Sequence, residues 1–165
     1  MPLPLIISFD GNIGSGKSTT CEEYEQYLKN EINMSLGSEK APLFPKITSF
    51  EEEVCFLDEP VALWNQVCDE NGVNILTNLY KNIRSNAFKF QMMAYISRLV
   101  YIKKAVEENP DAVIITERSL ITDKEVFAKM LFDDKKIEDV NYQIYLKIFQ
   151  IYLLLVHYLS IWSFN

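Results

Sequence analysis

A glycine-rich segment between an apolar run and a helical pattern constrains this chain more than any other feature. Residues Gly11–Ser18 read GNIGSGKS and match the pattern G-x-x-x-x-G-K-[ST]. The β-branched run Leu5–Phe9 before them predicts a buried strand, and apolar residues at helical spacing predict a helix from Ser18 to about Ile32. A strand, a glycine loop and a helix in this order are typical of a phosphate-binding loop.

Such a loop holds phosphate through backbone amides, a lysine and a hydroxyl. Gly11, Gly14 and Gly16 permit positive φ, so that consecutive N–H groups can turn inward on an anion at the N-terminus of the helix. Lys17 would reach the β and γ phosphates of ATP or another nucleoside triphosphate, and Ser18 would ligate Mg²⁺. The residues expected at the phosphates are Gly11, Asn12, Ile13, Gly14, Ser15, Gly16, Lys17, Ser18 and Thr19.

Length and composition narrow the class of protein. With 165 residues and 48% hydrophobic side chains, the chain has room for one ordinary domain. A net charge of −7 argues against a broad electrostatic footprint on nucleic acid. Three scattered cysteines predict reduced thiols and a cytoplasmic location. No signal peptide or mitochondrial import signal is recognisable, although a mitochondrial location stays open.

Further strands and helices alternate along the chain. Val54–Pro60 and Ala112–Thr116 predict two more buried strands, and Asn86–Glu108 predicts a long helix. This order implies βαβ units and a parallel sheet. The segment 33–53 holds two prolines, a glycine and three consecutive glutamates, which predicts a loop insertion.

Two of the predicted strands end in acidic residues. Asp58 and Glu59 close the second strand, and Glu117 and Arg118 follow the third. Because ligands bind at the carboxyl ends of parallel strands, one acid could be a base for an acceptor hydroxyl and another a partner of Mg²⁺. Arg118 could stabilise charge on a transferring phosphoryl group. For Asp58 or Glu59 alone, solvation of a strand end is an equally good explanation.

The long helix carries a polar stripe beside its apolar face. Gln91 and Arg98 share this stripe with Ala87 and Ala94. An amide, a guanidinium and small side chains would suit a flat, hydrogen-bonding ligand such as a nucleobase. From spacing alone, a solvated polar face is slightly favoured. Candidate apolar walls of a base pocket are Trp64, Phe90 and Phe127.

Five motifs in order resemble the cellular deoxynucleoside kinases, and most closely the deoxycytidine/deoxyguanosine kinase branch. They are GNIGSGKST, DEPVALW, NLY, FQMMAYISRL and ERSLITDKEVF, beginning at Gly11, Asp58, Asn78, Phe90 and Glu117. The resemblance implies an α/β, three-layer P-loop nucleoside-kinase fold with a parallel sheet. It also implies ATP- and Mg²⁺-dependent phosphorylation of a deoxynucleoside 5′-OH, for salvage of deoxycytidine or purine deoxynucleosides.

The resemblance assigns roles to individual residues. Glu59 matches the general base, Arg118 the arginine that orients the 5′-oxygen and phosphate, and Glu117 the Mg²⁺-associated acid. Tyr80 matches the tyrosine on the deoxyribose 3′-OH, and Gln91 the residue that hydrogen-bonds the base. The full set implied to bind the nucleoside is Glu59, Trp64, Tyr80, Phe90, Gln91, Arg98, Arg118, Asp123 and Phe127.

One pair within this set bears on substrate choice. Arg98 and Asp123 match a pair that thymidine-preferring relatives lack. The resemblance therefore implies that cytosine or a purine is accepted and thymine is disfavoured. A polar pair facing the wrong base would be left unsatisfied, which is how such sites discriminate.

The chain departs from the family pattern in two places. The segment 33–53 is longer than usual, and residues 148–165 diverge where the family continues into further strands and an arginine-rich lid. Three interpretations of this tail compete: a membrane-spanning helix, a core helix over its first half, and the product of an early stop. The last is preferred, with His157 incidental. It predicts one incomplete kinase domain over 1–165 that is poorly soluble and nearly inactive alone.

Three functions compete at this stage. The leading hypothesis is a deoxynucleoside kinase without nucleic-acid or membrane partners, whose full-length relatives are homodimeric. A nucleoside monophosphate kinase would need basic residues around an acceptor phosphate, whereas the acceptor region offers Glu59, Tyr80 and Gln91. The third is a catalytically inactive product that binds nucleotide or a full-length partner.

Overall fold

The computed structural model of the chain describes residues 4–12, 14–34 and 54–162. These residues belong to two compact units, Met1–Glu59 with Arg98–Ser119 (unit 1) and Pro60–Ser97 with Leu120–Asn165 (unit 2). The strands are β1 Ile6–Phe9, β2 Val54–Leu57 and β3 Val113–Glu117. The helices are α1 Lys17–Met34, α2 Val61–Trp64, α3 Ile75–Lys81, α4 Ile83–Glu108, α5 Leu120–Thr122, a π-helical stretch Asp123–Ala128, α6 Lys129–Asp133 and α7 Asp139–Trp162.

Unit 1 is built on a parallel three-stranded sheet. The strand order is β1-β3-β2, and Ile115 of β3 lies opposite Ile7 on one side and Phe56 on the other. The central strand is buried along its apolar length, as an uninterrupted β-branched run predicts. The same prediction is wrong for the outer strands: β1 alternates between exposed and half-buried residues and β2 is half-buried, since each has a paired neighbour on one side only in the described sheet. The carboxyl ends of all three strands therefore lie at one edge of the sheet. The predicted α/β class and parallel sheet are confirmed.

Helix α1 covers one face of this sheet. Its side chains at Cys21, Tyr24 and Leu28 are buried, which confirms the predicted apolar face. Tyr24 and Leu28 pack with Val113 and Ile115 of the central strand, and Phe9 and Phe56 complete the cluster from the two outer strands. Burial of each large apolar side chain contributes roughly 1.5–3 kcal/mol. This packing fixes the start of α1 beside the strand ends.

Element boundaries differ from the sequence predictions by a few residues. Helix α4 begins at Ile83 rather than Asn86, and β2 ends at Leu57, before Pro60 starts a short helical turn. Residues 33 and 34 belong to α1, whereas a loop was predicted from 33. The rest of that predicted insertion, 35–53, and Ile13 of the glycine loop lie outside the described residues.

In unit 2, helix α7 packs through its first half. Tyr145 and Phe149 are buried, and both rings contact the ring of Tyr95 on α4. Of the tail 148–165, Phe149 is buried, residues 150 and 151 are exposed, and the side chains from 153 onward lie outside the described residues, so the interpretation of the tail stays a prediction. Over the part of the chain that the structure describes, no helix has the length and apolar character needed to cross a membrane. The side chain of His157 lies outside the described residues.

Candidate active site

The glycine loop joins β1 to α1 at the carboxyl edge of the sheet. Gly14 and Gly16 have φ of +75° and +85°, a conformation that side chains disfavour. Gly11 was also expected to use positive φ, which is wrong; this glycine is needed for space. A Cβ at position 11 would lie 2.7 Å from Ser15 Oγ. The loop therefore has two glycines for backbone shape and one for close approach.

The side chain of Lys17 folds back onto the glycine loop. Its side chain is only 8% exposed, and Nζ donates a hydrogen bond of 2.8 Å to the carbonyl oxygen of Asn12. The N–H of Ser15 donates to the same carbonyl at 3.2 Å. The ammonium is thus held across the loop at the positive end of α1, where an anion is stabilised by both.

Ser18 and Glu117 meet at this edge although they are distant in sequence. The Ser18 hydroxyl lies 3.1 and 3.0 Å from the two carboxylate oxygens of Glu117. One hydroxyl and one carboxylate are the oxygen donors that Mg²⁺ takes when phosphate and water complete its shell, so the residues present fit that ion. Within the described ranges, no group of three or more His, Cys, Asp or Glu side chains is placed to hold a metal.

Glu59 lies between two guanidinium groups. Its Oε1 is 2.7 Å from Arg98 Nη2 and 3.2 Å from Arg118 Nη1. Both arginines are largely buried, and Glu59 is about a fifth exposed. Asp58 is exposed to solvent. Of the two acids after β2, Glu59 is therefore the one built into a charged cluster with Arg98 and Arg118.

The contact between Glu59 and Arg98 was not anticipated from the sequence, where Arg98 was assigned to the base. No local pattern signals it, because the two residues come from a strand end and from the middle of a long helix. Arg118 also holds an unexpected backbone conformation, with φ of +69°. Asp10 is a residue that sequence reasoning missed; it accepts a hydrogen bond from the N–H of Ser119, next to Arg118. Its position directly before the glycine loop was the available signal.

Cys21 lies on the first turns of α1. Burial raises the pKa of its thiol to about 11, and the negative charges of Glu117 and Asp58 act in the same direction. The thiol is therefore protonated at neutral pH, so Cys21 is a packing residue rather than a nucleophile.

The polar stripe of α4 is buried. Gln91 and Arg98 are each 4% exposed, and Ala87 and Ala94 are fully buried. The alternative of a solvated polar face, slightly favoured from spacing alone, is therefore wrong. Burying an amide and a guanidinium costs free energy unless both have polar partners. This face of α4 therefore carries buried polar side chains and is not a solvated surface.

The expected apolar walls in unit 2 include a packed aromatic pair. Trp64 and Phe90 meet edge to face with centroids 5.2 Å apart. The indole N–H of Trp64 donates to Ser97 Oγ at 2.9 Å, and that serine in turn donates to the carbonyl of Met93. Trp64 is therefore fixed by packing and by a hydrogen bond, and Ser97 is a supporting residue that sequence reasoning missed.

Three further predicted nucleoside-binding residues lie in unit 2. Tyr80 on α3 is 70% exposed, and the preceding turn is anchored by Asn78, whose amide donates to Asp69 and to the carbonyl of Val73. Asp123 is buried and Phe127 is half-buried, both on the π-helical stretch. The predicted nucleoside-binding residues that lie in unit 1 are Glu59, Arg98 and Arg118.

Comparison with known proteins gives a consistent result. The family model "Deoxynucleoside kinase" matches residues 7–163, a range that includes the segment 33–53 and all but the last two residues of the segment 148–165. A fowlpox virus (strain NVSL) protein named "probable deoxycytidine kinase" is 30% identical over 129 residues, covering 78% of this chain and 51% of the relative. "Deoxycytidine kinase 2" of Gallus gallus is 30% identical over 155 residues, with 84% and 50% covered.

"Deoxycytidine kinase" of Homo sapiens is 25% identical over 143 residues, with 84% of this chain and 51% of the relative covered. The chain thus spans about half the length of the curated relatives it matches. The family match covers nearly the whole chain, in agreement with the glycine loop, the acids at the strand ends and the parallel sheet. This chain belongs to the deoxynucleoside kinase family.

Proposed function

We propose that this chain phosphorylates the 5′-OH of a deoxynucleoside, deoxycytidine or a purine deoxynucleoside, with ATP or another nucleoside triphosphate as donor. The observation that carries the proposal is the Glu59 carboxylate held between Arg98 and Arg118 in the same unit as the glycine loop. A carboxylate suits removal of a proton from a neutral hydroxyl acceptor. The names of the matched relatives support the same reaction.

Five residues of unit 1 have a role in the proposed reaction. Glu59 takes the proton of the 5′-OH while the 5′-oxygen forms a bond to the γ-phosphorus. The bond between the γ-phosphorus and the oxygen of the departing nucleoside diphosphate breaks. Arg118 and Lys17 offset the negative charge of the phosphoryl group in transfer. When Mg²⁺ is bound, it neutralises phosphate charge, and Ser18 and Glu117 would hold it.

The residues of unit 2 supply recognition in this proposal. Gln91 would hydrogen-bond the base edge, and Tyr80 would contact the deoxyribose 3′-OH. Trp64, Phe90 and Phe127 would wall the base, and Asp123 would act with Arg98 against thymine. The buried state of Gln91 and Asp123 supports this assignment, because a buried polar side chain discriminates strongly between ligands that satisfy it and ligands that do not.

A cytoplasmic location completes the proposal, and the assembly state of this chain is left to experiment. Cys21, Cys55 and Cys68 are all free thiols, which agrees with a reducing compartment. Sedimentation of the purified chain over a concentration series would decide the assembly state.

The proposed reaction is tested by ligand-dependent melting and by product formation. Deoxycytidine or deoxyguanosine should raise the melting temperature, deoxycytidine monophosphate should not, and ATP with Mg²⁺ should convert the nucleoside to its 5′-monophosphate. The matched control is Lys17→Met, which should abolish transfer. Stabilisation by the monophosphate with transfer to it would establish a monophosphate kinase instead, and no response to any nucleoside or nucleotide would overturn the proposal.

A further inference from the structure

We propose that Asp10 is a positioning residue for phosphoryl transfer, whose carboxylate holds the turn after β3 so that Arg118 reaches Glu59. The inference rests on the proposed function and deepens it, because it adds a residue to the machinery of the same site. Asp10 follows β1 directly and precedes the glycine loop, so it stands between the two parts of the site.

Hydrogen bonds between two strand ends carry the proposal. Phe9 of β1 lies opposite Glu117 of β3, and the Phe9 carbonyl accepts the N–H of Arg118 at 3.1 Å. One residue further, Asp10 Oδ1 accepts the N–H of Ser119 at 2.9 Å, with the Ser119 hydroxyl at 3.4 Å. The side chain of Asp10 thus continues the pairing of the two strands past the point where the strands end.

The residue between these two bonds is in an unusual conformation. Arg118 has φ of +69°, in the left-handed region that residues other than glycine, asparagine and aspartate seldom occupy. Such a conformation persists only where the surroundings hold it. The N–H groups of residues 118 and 119 are both held by the end of β1. With the backbone so fixed, the guanidinium of Arg118 lies 3.2 Å from Glu59.

The charge of Asp10 makes a purely incidental role implausible on physical grounds. A carboxylate next to a loop proposed to bind polyphosphate repels that ligand and so lowers its affinity. Neutral donors hold Asp10 in part: Oδ1 accepts the N–H and the hydroxyl of Ser119, and Oδ2 accepts the hydroxyl of Ser8 on β1 at 2.8 Å. Oδ1 is therefore directed at the turn that carries Arg118.

The test combines Asp10→Ala, Asp10→Asn and the matched control Asp111→Ala, an exposed acid before β3 that loses the same charge. Asp10→Ala should lower kcat about 10- to 100-fold through misplacement of Arg118, with little change in KM for the deoxynucleoside. Asp10→Asn keeps an acceptor oxygen for Ser119 and should retain most of the activity. Asp111→Ala should behave as the unmodified chain.

A double variant separates positioning from general stability. If Asp10 acts through Arg118, then Asp10→Ala should cause no further loss of kcat in an Arg118→Ala background. Equal losses in both backgrounds would overturn the proposal, and so would an unchanged kcat in Asp10→Ala. Should Asp10→Ala fail to fold, Asp10→Asn decides: a folded Asp10→Asn protein that loses most of its kcat contradicts the role of the hydrogen bond.

A structural readout keeps this inference distinct from the proposed function. If the unmodified chain transfers no phosphate, the proposed function fails, and crystal structures of the unmodified chain and of Asp10→Ala decide the positioning role. Departure of residue 118 from positive φ, with loss of the contact between Arg118 and Glu59, supports it. An unchanged turn in Asp10→Ala overturns it.

Discussion

Glu59 and Arg118 form an ion pair of 3.2 Å that joins the ends of two neighbouring parallel strands. The pair is largely withdrawn from water, so each partner limits the positions that the other can take. Arg98 approaches the same carboxylate oxygen from the long helix at 2.7 Å. The acid proposed as the base is thereby held by two side chains at the edge where the glycine loop also lies.

Replacing Glu59 by glutamine should separate its chemical role from its structural one. Glutamine keeps the size and one acceptor oxygen for the two guanidinium groups, but it cannot accept the proton of the 5′-OH. We expect phosphoryl transfer to fall roughly 10²- to 10⁴-fold, while deoxynucleoside affinity changes much less. Single-turnover kinetics together with calorimetric binding measures both quantities.

The matched control for this prediction is Asp58→Asn. Asp58 is the neighbouring acid and is exposed, so its amide variant should transfer phosphate at the rate of the unmodified chain. A large loss in Asp58→Asn together with an unchanged rate in Glu59→Gln would move the base to Asp58.

The glycines of the loop should respond differently to alanine. Gly16→Ala places a Cβ at φ of +85°, which should cost about 1–2 kcal/mol of unfolding free energy and weaken ATP binding. Gly11→Ala instead brings its methyl against Ser15 Oγ, so the added change Ser15→Ala should restore stability. Urea unfolding and ATP titration measure these effects.

Gly72→Ala is the control for the loop variants. Gly72 has a φ of +74° with open space around it, in a turn of unit 2. Its alanine variant should lose a similar stability without loss of ATP affinity. Failure of Ser15→Ala to rescue Gly11→Ala would contradict the steric explanation.

The elements of this fold were largely predictable because their signals are local. Apolar β-branched runs marked all three strands, and helical spacing marked the buried face of α1 at Tyr24 and Leu28. Boundaries shifted by a few residues where pairing or packing decides them, as at Ile83 and Leu57.

The residues of the candidate site could be proposed from the sequence, but only some of their contacts could be anticipated. The order of strands and loops places Ser18 near Glu117, and strand-end logic anticipates that meeting. The contact of Arg98 with Glu59 depends on how a helix lies over a strand end, which spacing does not encode. The left-handed backbone conformation of Arg118 could not be predicted either, because arginine is not a residue type that favours positive φ.

Cys21 offers a test of the packing of α1 by pH. Burial raises the pKa of its thiol to about 11 from an ordinary value of 9.0, so the folded state binds the proton more tightly than the unfolded state. The resulting stability is present below about pH 9 and is lost as the pH rises towards 11. The difference in unfolding free energy between the unmodified chain and Cys21→Ala should therefore shrink from pH 8 to pH 11.

Alkylation at pH 8 provides an independent check. The exposed Cys68 should react with iodoacetamide, whereas Cys21 should react only after unfolding. A stability difference that is constant with pH, together with rapid labelling of Cys21, would contradict the burial of its side chain on α1.

Substrate choice should depend on Arg98 and Asp123. The double variant Arg98→Met with Asp123→Ala removes a guanidinium and a carboxylate that are both buried, and it should shift preference from deoxycytidine towards thymidine. Because Arg98 also contacts Glu59, its loss removes one of the two side chains that hold the proposed catalytic base, so kcat should fall for every nucleoside.

Direct competition between thymidine and deoxycytidine distinguishes the two effects, since the ratio of kcat/KM values is insensitive to a general loss of rate. Asp123→Ala alone serves as the control, because it keeps the Arg98 side chain that contacts Glu59. An unchanged ratio of kcat/KM values in the double variant, with kcat lowered equally for both nucleosides, would contradict this prediction. It would show that Arg98 positions Glu59 and does not discriminate between nucleobases.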